Sequence, residues 1–118
     1  MKSVERGRLG EDRAVSFLEA KGFKVIARNY RRRIGEIDII ACGEGVVIFC
    51  EVKNWQVFDE SSMEYAINER KKRKILNVAK AFLSDHRELD GLQVRFDVLF
   101  IGAKAAAPKH IVAAFGEG

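Results

Sequence analysis

Two strongly apolar segments joined by a very short turn constrain this chain more than any other feature of its sequence. GEIDIIAC occupies residues 35–42, VVIFCEVK occupies residues 46–53, and a Gly-Glu-Gly turn lies between them. Short runs rich in β-branched residues are typical of strands, and a glycine-containing turn of this length joins antiparallel neighbours. The two segments are therefore predicted to form a β-hairpin.

Helical and strand patterns elsewhere supply the elements that pack on this hairpin. Apolar residues at helical spacing predict a first helix over about residues 9–21, with Gly22 as its stop. A capping box at its start predicts a second helix over about residues 61–83. Further strands are predicted for KVIARNY, QVRFDVLFI and HIVAAF, at residues 24–30, 93–101 and 110–115. The order α-β-β-β-α-β-β predicts an α/β fold with a mixed sheet, as a single domain over residues 1–118.

Composition argues against membrane insertion. Apolar residues make up 47% and charged residues 32% of the chain, as in a soluble globular protein. No apolar run approaches the roughly 18 residues of a spanning helix, and the N-terminus lacks the apolar stretch of a signal peptide. We therefore expect a cytoplasmic protein without membrane association, in which Cys42 and Cys50 are reduced thiols.

Basic residues are concentrated in two blocks, within a chain of net charge +4. One block consists of Arg31, Arg32 and Arg33, and the other is RKKRK, which contains Lys71 and Lys72. Such blocks bind the phosphates of nucleic acid, although many are only solvated surface charge. The charge distribution alone leaves both interpretations open.

Charged residues interrupt both segments of the hairpin. Glu36 and Asp38 lie in the first segment, and Glu51 and Lys53 lie in the second. Because alternate side chains of a strand share a face, a turn with an even number of residues would bring all four onto one face. A turn of odd length would separate them, so this inference depends on register.

Three carboxylates and a lysine on one face predict a divalent-metal site. Neighbouring carboxylates repel each other unless a cation lies between them, and Mg²⁺ or Mn²⁺ favours oxygen ligands. Asp38 and Glu51 would bind the metal with Glu36 in support, and Lys53 would orient an attacking water or stabilise developing phosphate charge. The alternative is that these are plain surface charges at strand ends.

Two charged residues fall on otherwise apolar helix faces. Glu11 precedes Ala14 by three residues, and Lys71 lies four residues after Ile67 and four before Ile75. Both side chains either reach solvent at the edge of the apolar face or point into the cleft that contains the strand acids. In the second case Glu11 would be a further carboxylate and Lys71 a phosphate contact.

A later strand contains a second charged pair, which we interpret as structural. Arg95 and Asp97 share one face of that strand and are predicted to form an ion pair. His86 and His110 are isolated in the sequence and show no metal-ligand spacing.

Four blocks of this sequence together resemble the YraN-type family of uncharacterised proteins. They are GRLGEDRAVSFLEAKGFKVIARNYR, GEIDIIA, VIFCEVK and RFDVLFIG, and the resemblance extends over about residues 7–115. This family is similar in fold to restriction endonucleases and archaeal-type Holliday-junction resolvases. The resemblance therefore implies a restriction-endonuclease-like α/β fold, with a central mixed β-sheet flanked by α-helices.

The resemblance also implies roles for particular residues. It assigns Asp38, Glu51 and Lys53 to the metal-dependent catalytic positions, Glu11 to an additional metal carboxylate and Lys71 to a basic position of the second helix. The sequence departs from the wider nuclease motif in one respect, because no proline precedes Asp38.

The expected activity is Mg²⁺- or Mn²⁺-dependent hydrolysis of phosphodiester bonds in structured nucleic acid, with DNA favoured over RNA. Arg31–Arg33 and Lys71–Lys74 would hold the backbone, and a homodimer that grips two strands is one arrangement to consider. The alternative is a nucleic-acid-binding module without catalysis. A third interpretation is a protein-interaction adaptor that uses Trp55 and Phe58, which otherwise stack on bases or pack down.

Overall fold

Five strands and two long helices make up the part of the chain that the computed structural model describes, residues 3–54, 68–102 and 107–116, with side chains from residue 10 onward. In chain order they are α1 (Ser3–Ala20), β1 (Lys24–Arg32), β2 (Gly35–Gly43), β3 (Val46–Asn54), α2 (Glu69–Asp85), a short 3-10 helix (Arg87–Leu89), β4 (Gln93–Ile101) and β5 (Lys109–Phe115). This order confirms the α/β prediction. No helix in these described ranges is long and apolar enough to cross a membrane.

The strands form one mixed sheet in the order β1-β2-β3-β4-β5. β3 and β4 are parallel, whereas the other neighbours are antiparallel. The predicted hairpin is β2–β3, in which Gly43 pairs with Val46 around a turn of two residues, Glu44 and Gly45. Both turn residues have positive φ, 53° and 79°, as a type I′ turn requires. The turn is therefore of even length, which confirms the parity on which the shared face depends.

Two apolar clusters lie on opposite faces of the sheet, each under one helix. Side chains of β3 point alternately to the two faces of the sheet. Phe49 lies on the face covered by α2, and Ile48 lies on the face covered by α1. The cluster under α2 includes Ile40, Val47, Ile75, Val78 and Phe82, and the cluster under α1 includes Ala14, Leu18, Ile39, Cys50 and Leu99. Cys42 and Cys50 are free thiols, as predicted.

The second helix begins later than its apolar pattern predicts. Asn68 has extended backbone angles (φ −84°, ψ 172°), and its side chain accepts a hydrogen bond from the Lys71 N–H at 2.9 Å. It is an N-cap, so the helix begins at Glu69 and the prediction of one continuous helix from residue 61 is wrong. Helical spacing of apolar residues cannot reveal a cap inside the run. The predicted capping box, residues 61–64, lies outside the described residues.

A buried carboxylate fastens the edge strand β5 to β4. Asp97 is fully buried and accepts hydrogen bonds from Arg95 Nε at 3.0 Å and from the Ala113 N–H at 2.9 Å, while His110 Nε2 lies 2.7 Å from its Oδ2. The predicted Arg95–Asp97 ion pair is confirmed, and His110, which the sequence left isolated, joins it. Burial alone would raise the pKa of Asp97, but the bonds from His110, Arg95 and Ala113 outweigh it and hold this pKa below its usual value.

We predict that Asp97→Asn destabilises the protein by about 3 kcal/mol at neutral pH, because Arg95 loses the charge that compensates it. The lowered pKa means that the ionised Asp97 stabilises the fold fully above the unfolded value of about 3.9, and that this contribution is lost as the pH falls through the folded value. Urea unfolding should therefore show the difference between wild type and Asp97→Asn narrowing below about pH 4. A constant difference down to acid pH would contradict this account.

Candidate active site

The sheet opens between β2 and β3 at the end remote from their turn. The last pair between them is Ile39 with Cys50. Beyond it, β2 continues to pair with β1 as far as Gly35, and β3 with β4 as far as Asn54. The Val52 N–H, which faces this gap, donates instead to Asp38 Oδ2 at 2.8 Å. A side-chain carboxylate thus replaces a main-chain partner where the strands separate.

A cavity of about 550 Å³ lies at this opening, between the strand ends and the first turns of α2. The strands contribute Glu36, Asp38 and Glu51 to its lining. The helix and its cap contribute Asn68, Arg70, Lys71 and Lys74. The prediction that the acids of the hairpin lie together on one face of the sheet is therefore confirmed. The cavity wall opposite them is basic.

Asp38 and Glu51 form a carboxyl pair within this cavity. Glu51 is 7% exposed, and its carboxylate charge acts on the neighbouring Asp38. Burial, followed by the charge of Glu51, raises the pKa of Asp38 to about 7, against the opposing effect of the Val52 hydrogen bond. Near neutral pH Asp38 is therefore only about half ionised, and a nearby cation would favour its ionised form.

Two lysines contact Glu51 from different elements. The Nζ of Lys71, on α2, lies 2.9 Å from Glu51 Oε1, and the Nζ of Lys53, on β3, lies 3.5 Å from the same atom. Burial and the neighbouring Lys71 amine lower the pKa of Lys53. Although burial opposes it, hydrogen bonding to Lys53 and Glu51 raises the pKa of Lys71. Lys71 thus points into the cleft, and it contacts a carboxylate there, which the sequence did not anticipate.

Glu11 lies near the pair but does not join it. α1 packs on the other face of the sheet, and the Glu11 carboxylate accepts a hydrogen bond from Asn29 Nδ2 at 2.8 Å and lies 3.6 Å from Arg28. Its charge still contributes to raising the pKa of Asp38. Within the described residues, no three His, Cys, Asp or Glu side chains are grouped so that they could hold a metal ion. The role of Glu11 as a third ligand stays a prediction.

The two basic blocks are partly engaged in ion pairs. Arg31 Nε lies 2.8 Å from Glu36, and Arg32 lies 3.1 Å from Asp85 at the end of α2. Arg33 is exposed at the β1–β2 turn. Lys72 lies 3.2 Å from Glu69, the first residue of its own helix, and does not line the cavity. The roles of these four residues as nucleic-acid contacts stay predictions.

The predicted RKKRK block contributes two cationic residues to the cavity besides Lys71, and the sequence-based prediction did not distinguish them from the rest of that block. Arg70 and Lys74 line the cavity beside Lys71. Helical spacing could have identified Lys74, because it follows Lys71 by three residues and precedes Val78 by four. This spacing places Lys71, Lys74 and Val78 on one side of the helix. Trp55 and Phe58, by contrast, lie outside the described residues, and the hypotheses about them stay untested.

Residues 10–101, which include every residue of the cavity lining, match the model of the uncharacterised protein family UPF0102. The chain belongs to this family. It is 41% identical over 109 residues to a UPF0102 protein of Rhodopseudomonas palustris, covering 92% of this chain and 82% of the relative. The UPF0102 protein of Azorhizobium caulinodans is 38% identical, with 93% and 82% covered. That of Persephonella marina is 40% identical, with 86% of each chain covered.

Family membership confirms the resemblance to YraN-type proteins that the sequence blocks carry. The match spans the UPF0102 hairpin, both helices and β4, so it takes in the elements that assemble the carboxyl pair and its lysines. The family description assigns no reaction, and the chemistry must therefore be argued from the site itself.

We predict that Asp38→Asn stabilises the UPF0102 protein when a chelator removes divalent metal. The folded protein keeps a proton on Asp38 up to about pH 7, whereas the unfolded chain releases it near pH 4, so stability declines as the pH rises between these values. Asparagine cannot ionise, and its amide oxygen can still accept from Val52. The gain should be on the order of 2 kcal/mol at about pH 8 and close to zero at about pH 4, by urea unfolding.

The matched control is Glu36→Gln, on the same strand and in the same cavity lining. Glu36 is 40% exposed and contacts Arg31 at the surface, so its loss should change stability by less than about 1 kcal/mol at either pH. If Asp38→Asn is the less stable protein at about pH 8, the raised pKa is not a property of the folded state.

Proposed function

We propose that this UPF0102 protein is a metal-dependent nuclease that hydrolyses phosphodiester bonds in DNA or another structured nucleic acid. The observation that carries the proposal is the Asp38–Glu51 pair, placed with Lys53 and Lys71 where the sheet opens. Acidic groups that would hold a metal and basic groups that would hold phosphate thus share one cavity. Phosphodiester hydrolysis by a metal-assisted water needs both in contact with the same phosphate.

The architecture supports a restriction-endonuclease-like fold. A mixed sheet lies between two helices, and its central hairpin carries Asp38 on one strand and Glu51-x-Lys53 on the next. This is the arrangement that the resemblance to restriction endonucleases and junction resolvases implies. We infer the same fold class for this chain.

The donor set fits Mg²⁺ or Mn²⁺. Asp38 and Glu51 offer carboxylate oxygens, and a cation would offset the burial and the mutual repulsion that raise the pKa of Asp38. Magnesium is commonly bound by one or two carboxylates with water and substrate phosphate completing its ligands, so two protein ligands are enough. A bound ion would polarise the phosphoryl group and make an attacking water more acidic.

The chain's own residues would orient the substrate around this pair. Lys53 follows Glu51 by two residues on the same strand face, so its amine is placed to orient a water or to stabilise charge that develops on the phosphate. Arg70 and Lys74 line the opposite wall of the cavity, where they would hold the phosphates on either side. The nucleic-acid backbone would then lie between β2 and α2.

We predict that Asp38→Asn removes most of the Mg²⁺ or Mn²⁺ uptake measured by calorimetry, because it takes away one of two carboxylate charges. Lys71→Met should have the opposite effect and tighten metal binding several-fold, because the ammonium 2.9 Å from Glu51 Oε1 occupies the place of a cation. Glu36→Gln is again the control and should bind metal nearly as wild type does. Equal uptake by wild type and Asp38→Asn would exclude the proposed ligands.

A cleavage assay on nicked, flapped and four-way-junction DNA with Mg²⁺ or Mn²⁺ tests the activity directly. We predict that Lys53→Ala binds these substrates but cuts them about 10²-fold or more slowly, as expected for loss of a group that stabilises the transition state. Lys72→Ala, outside the cavity, should cut normally at saturating protein. It should bind more weakly, with a salt dependence reduced by about one unit.

One observation favours a second candidate, a nucleic-acid-binding module without catalysis. Lys53 and Lys71 both contact Glu51, and a cavity with its charges balanced in this way could bind phosphate through Arg70 and Lys74 alone. The same variants separate the two functions. If wild type cuts none of these substrates and Lys53→Ala loses affinity just as Lys72→Ala does, the binding module replaces the nuclease.

A further inference from the structure

The turn between β1 and β2 presents an apolar side chain next to the cavity. The turn consists of Arg33 and Ile34, and the two residues that follow it, Gly35 and Glu36, line the cavity. Ile34 is 49% exposed. Ile34 belongs to none of the apolar clusters formed by the described residues. Because Ile34 lies beside the cavity, a ligand that binds in the cavity is also placed to cover Ile34.

The turn is held firmly against α2. A Cβ built on Gly35 would lie 3.2 Å from Val78 Cγ2 and 3.4 Å from Lys74 Cβ, so the main chain of β2 packs directly on the helix. Arg32, which precedes the turn, contacts Asp85 at the end of α2. Arg31 and Glu36 form an ion pair across the two strands. These contacts fix the turn, so that Ile34 projects from a rigid support.

The charges around Ile34 indicate that the ligand covering it is a polyanion. Arg31 and Arg32 are engaged with carboxylates, whereas Arg33 takes part in no ion pair with the residues that the structure describes. Across the cavity, Arg70 and Lys74 present further cationic groups. An apolar residue between cationic groups matches a nucleic-acid strand, in which phosphates alternate with apolar base faces.

We infer that the Arg33-Ile34 turn is a wedge, in which Ile34 enters an opened base step of DNA while Arg33 contacts the adjacent phosphate. This inference rests on the proposed function and adds a substrate class to it. Aliphatic side chains that enter a base step must break its stacking, at a cost of a few kcal/mol in a continuous duplex. Where stacking is already interrupted, at a gap or a branch, that cost is absent. The protein should therefore prefer interrupted DNA to continuous duplex.

The test compares binding of three DNA probes in the presence of a chelator, which prevents cleavage. They are a continuous duplex, the same duplex with a single-nucleotide gap, and a four-way junction built from the same sequence. Wild type should bind the gapped and branched probes about tenfold more tightly than the continuous one, in proportion to the stacking cost avoided. A 2-aminopurine beside the gap should brighten on binding as Ile34 replaces its stacking partner.

Substitutions assign this preference to the turn. Ile34→Ala should reduce the preference roughly fivefold, the loss expected for a partly buried aliphatic side chain, and Ile34→Leu should retain it. Arg33→Ala should weaken binding of all three probes and lower the salt slope by about one unit without changing the preference. Val112→Ala is the matched control, because Val112 is 50% exposed but lies on β5, at the opposite edge of the sheet.

The outcomes separate this inference from the proposed function. If wild type binds none of the probes with or without metal, the nuclease proposal fails and the wedge fails with it. If wild type binds and cuts DNA but shows no preference, or if Ile34→Ala keeps the full preference, only the wedge is overturned. A change in sedimentation of the free protein on Ile34→Ala would also overturn it, because Ile34 would then contact a second copy of the chain.

Discussion

The close approach of Asp38 and Glu51 is the constraint around which the rest of this structure is arranged. A two-residue turn fixes the β2–β3 register so that both carboxyls reach one face, and the end of pairing leaves them side by side in a cavity. Their proximity is unfavourable without a proton or a cation between them, as the raised pKa of Asp38 reflects. Two lysines in contact with Glu51 reduce this cost.

Stability elsewhere offsets the cost of this pair. The same strands bury Ile40 and Phe49 under α2 and Ile39 and Ile48 under α1, so apolar packing on both faces holds the hairpin in register. At the far edge, Asp97 has a complete set of donors and fastens β5. The two buried acids of the sheet, Glu51 and Asp97, thus differ in setting. Asp97 is enclosed by donors that fasten two strands, whereas Glu51 is contacted by two lysines at the edge of an open cavity.

The fold and the face that carries the acids could be predicted, because both follow from local rules. Strand alternation and turn parity depend only on neighbouring residues, and they placed Asp38, Glu51 and Lys53 correctly. What could not be predicted depends on contacts distant in sequence: the opening of the sheet beyond Ile39, the recruitment of His110 to Asp97, and the bond of Glu11 to Asn29. The start of α2 was predicted wrongly for another reason. The apolar pattern continues across Asn68, whose side chain caps the first turn of the helix.

The two lysines on Glu51 are held in ways that suit different roles. Lys53 lies two residues after Glu51 on the same strand, so both side chains leave the same face of β3. The contact between them does not depend on α2. Lys71 reaches the same oxygen from α2, whose first turn depends on the Asn68 cap and whose side chains there remain partly exposed. Under the proposed function, a lysine on the same strand as the metal carboxylate would suit a role needed at every turnover. Under the same proposal, Lys71, which reaches Glu51 from another element, would be the lysine that leaves Glu51 for a cation and contacts phosphate instead.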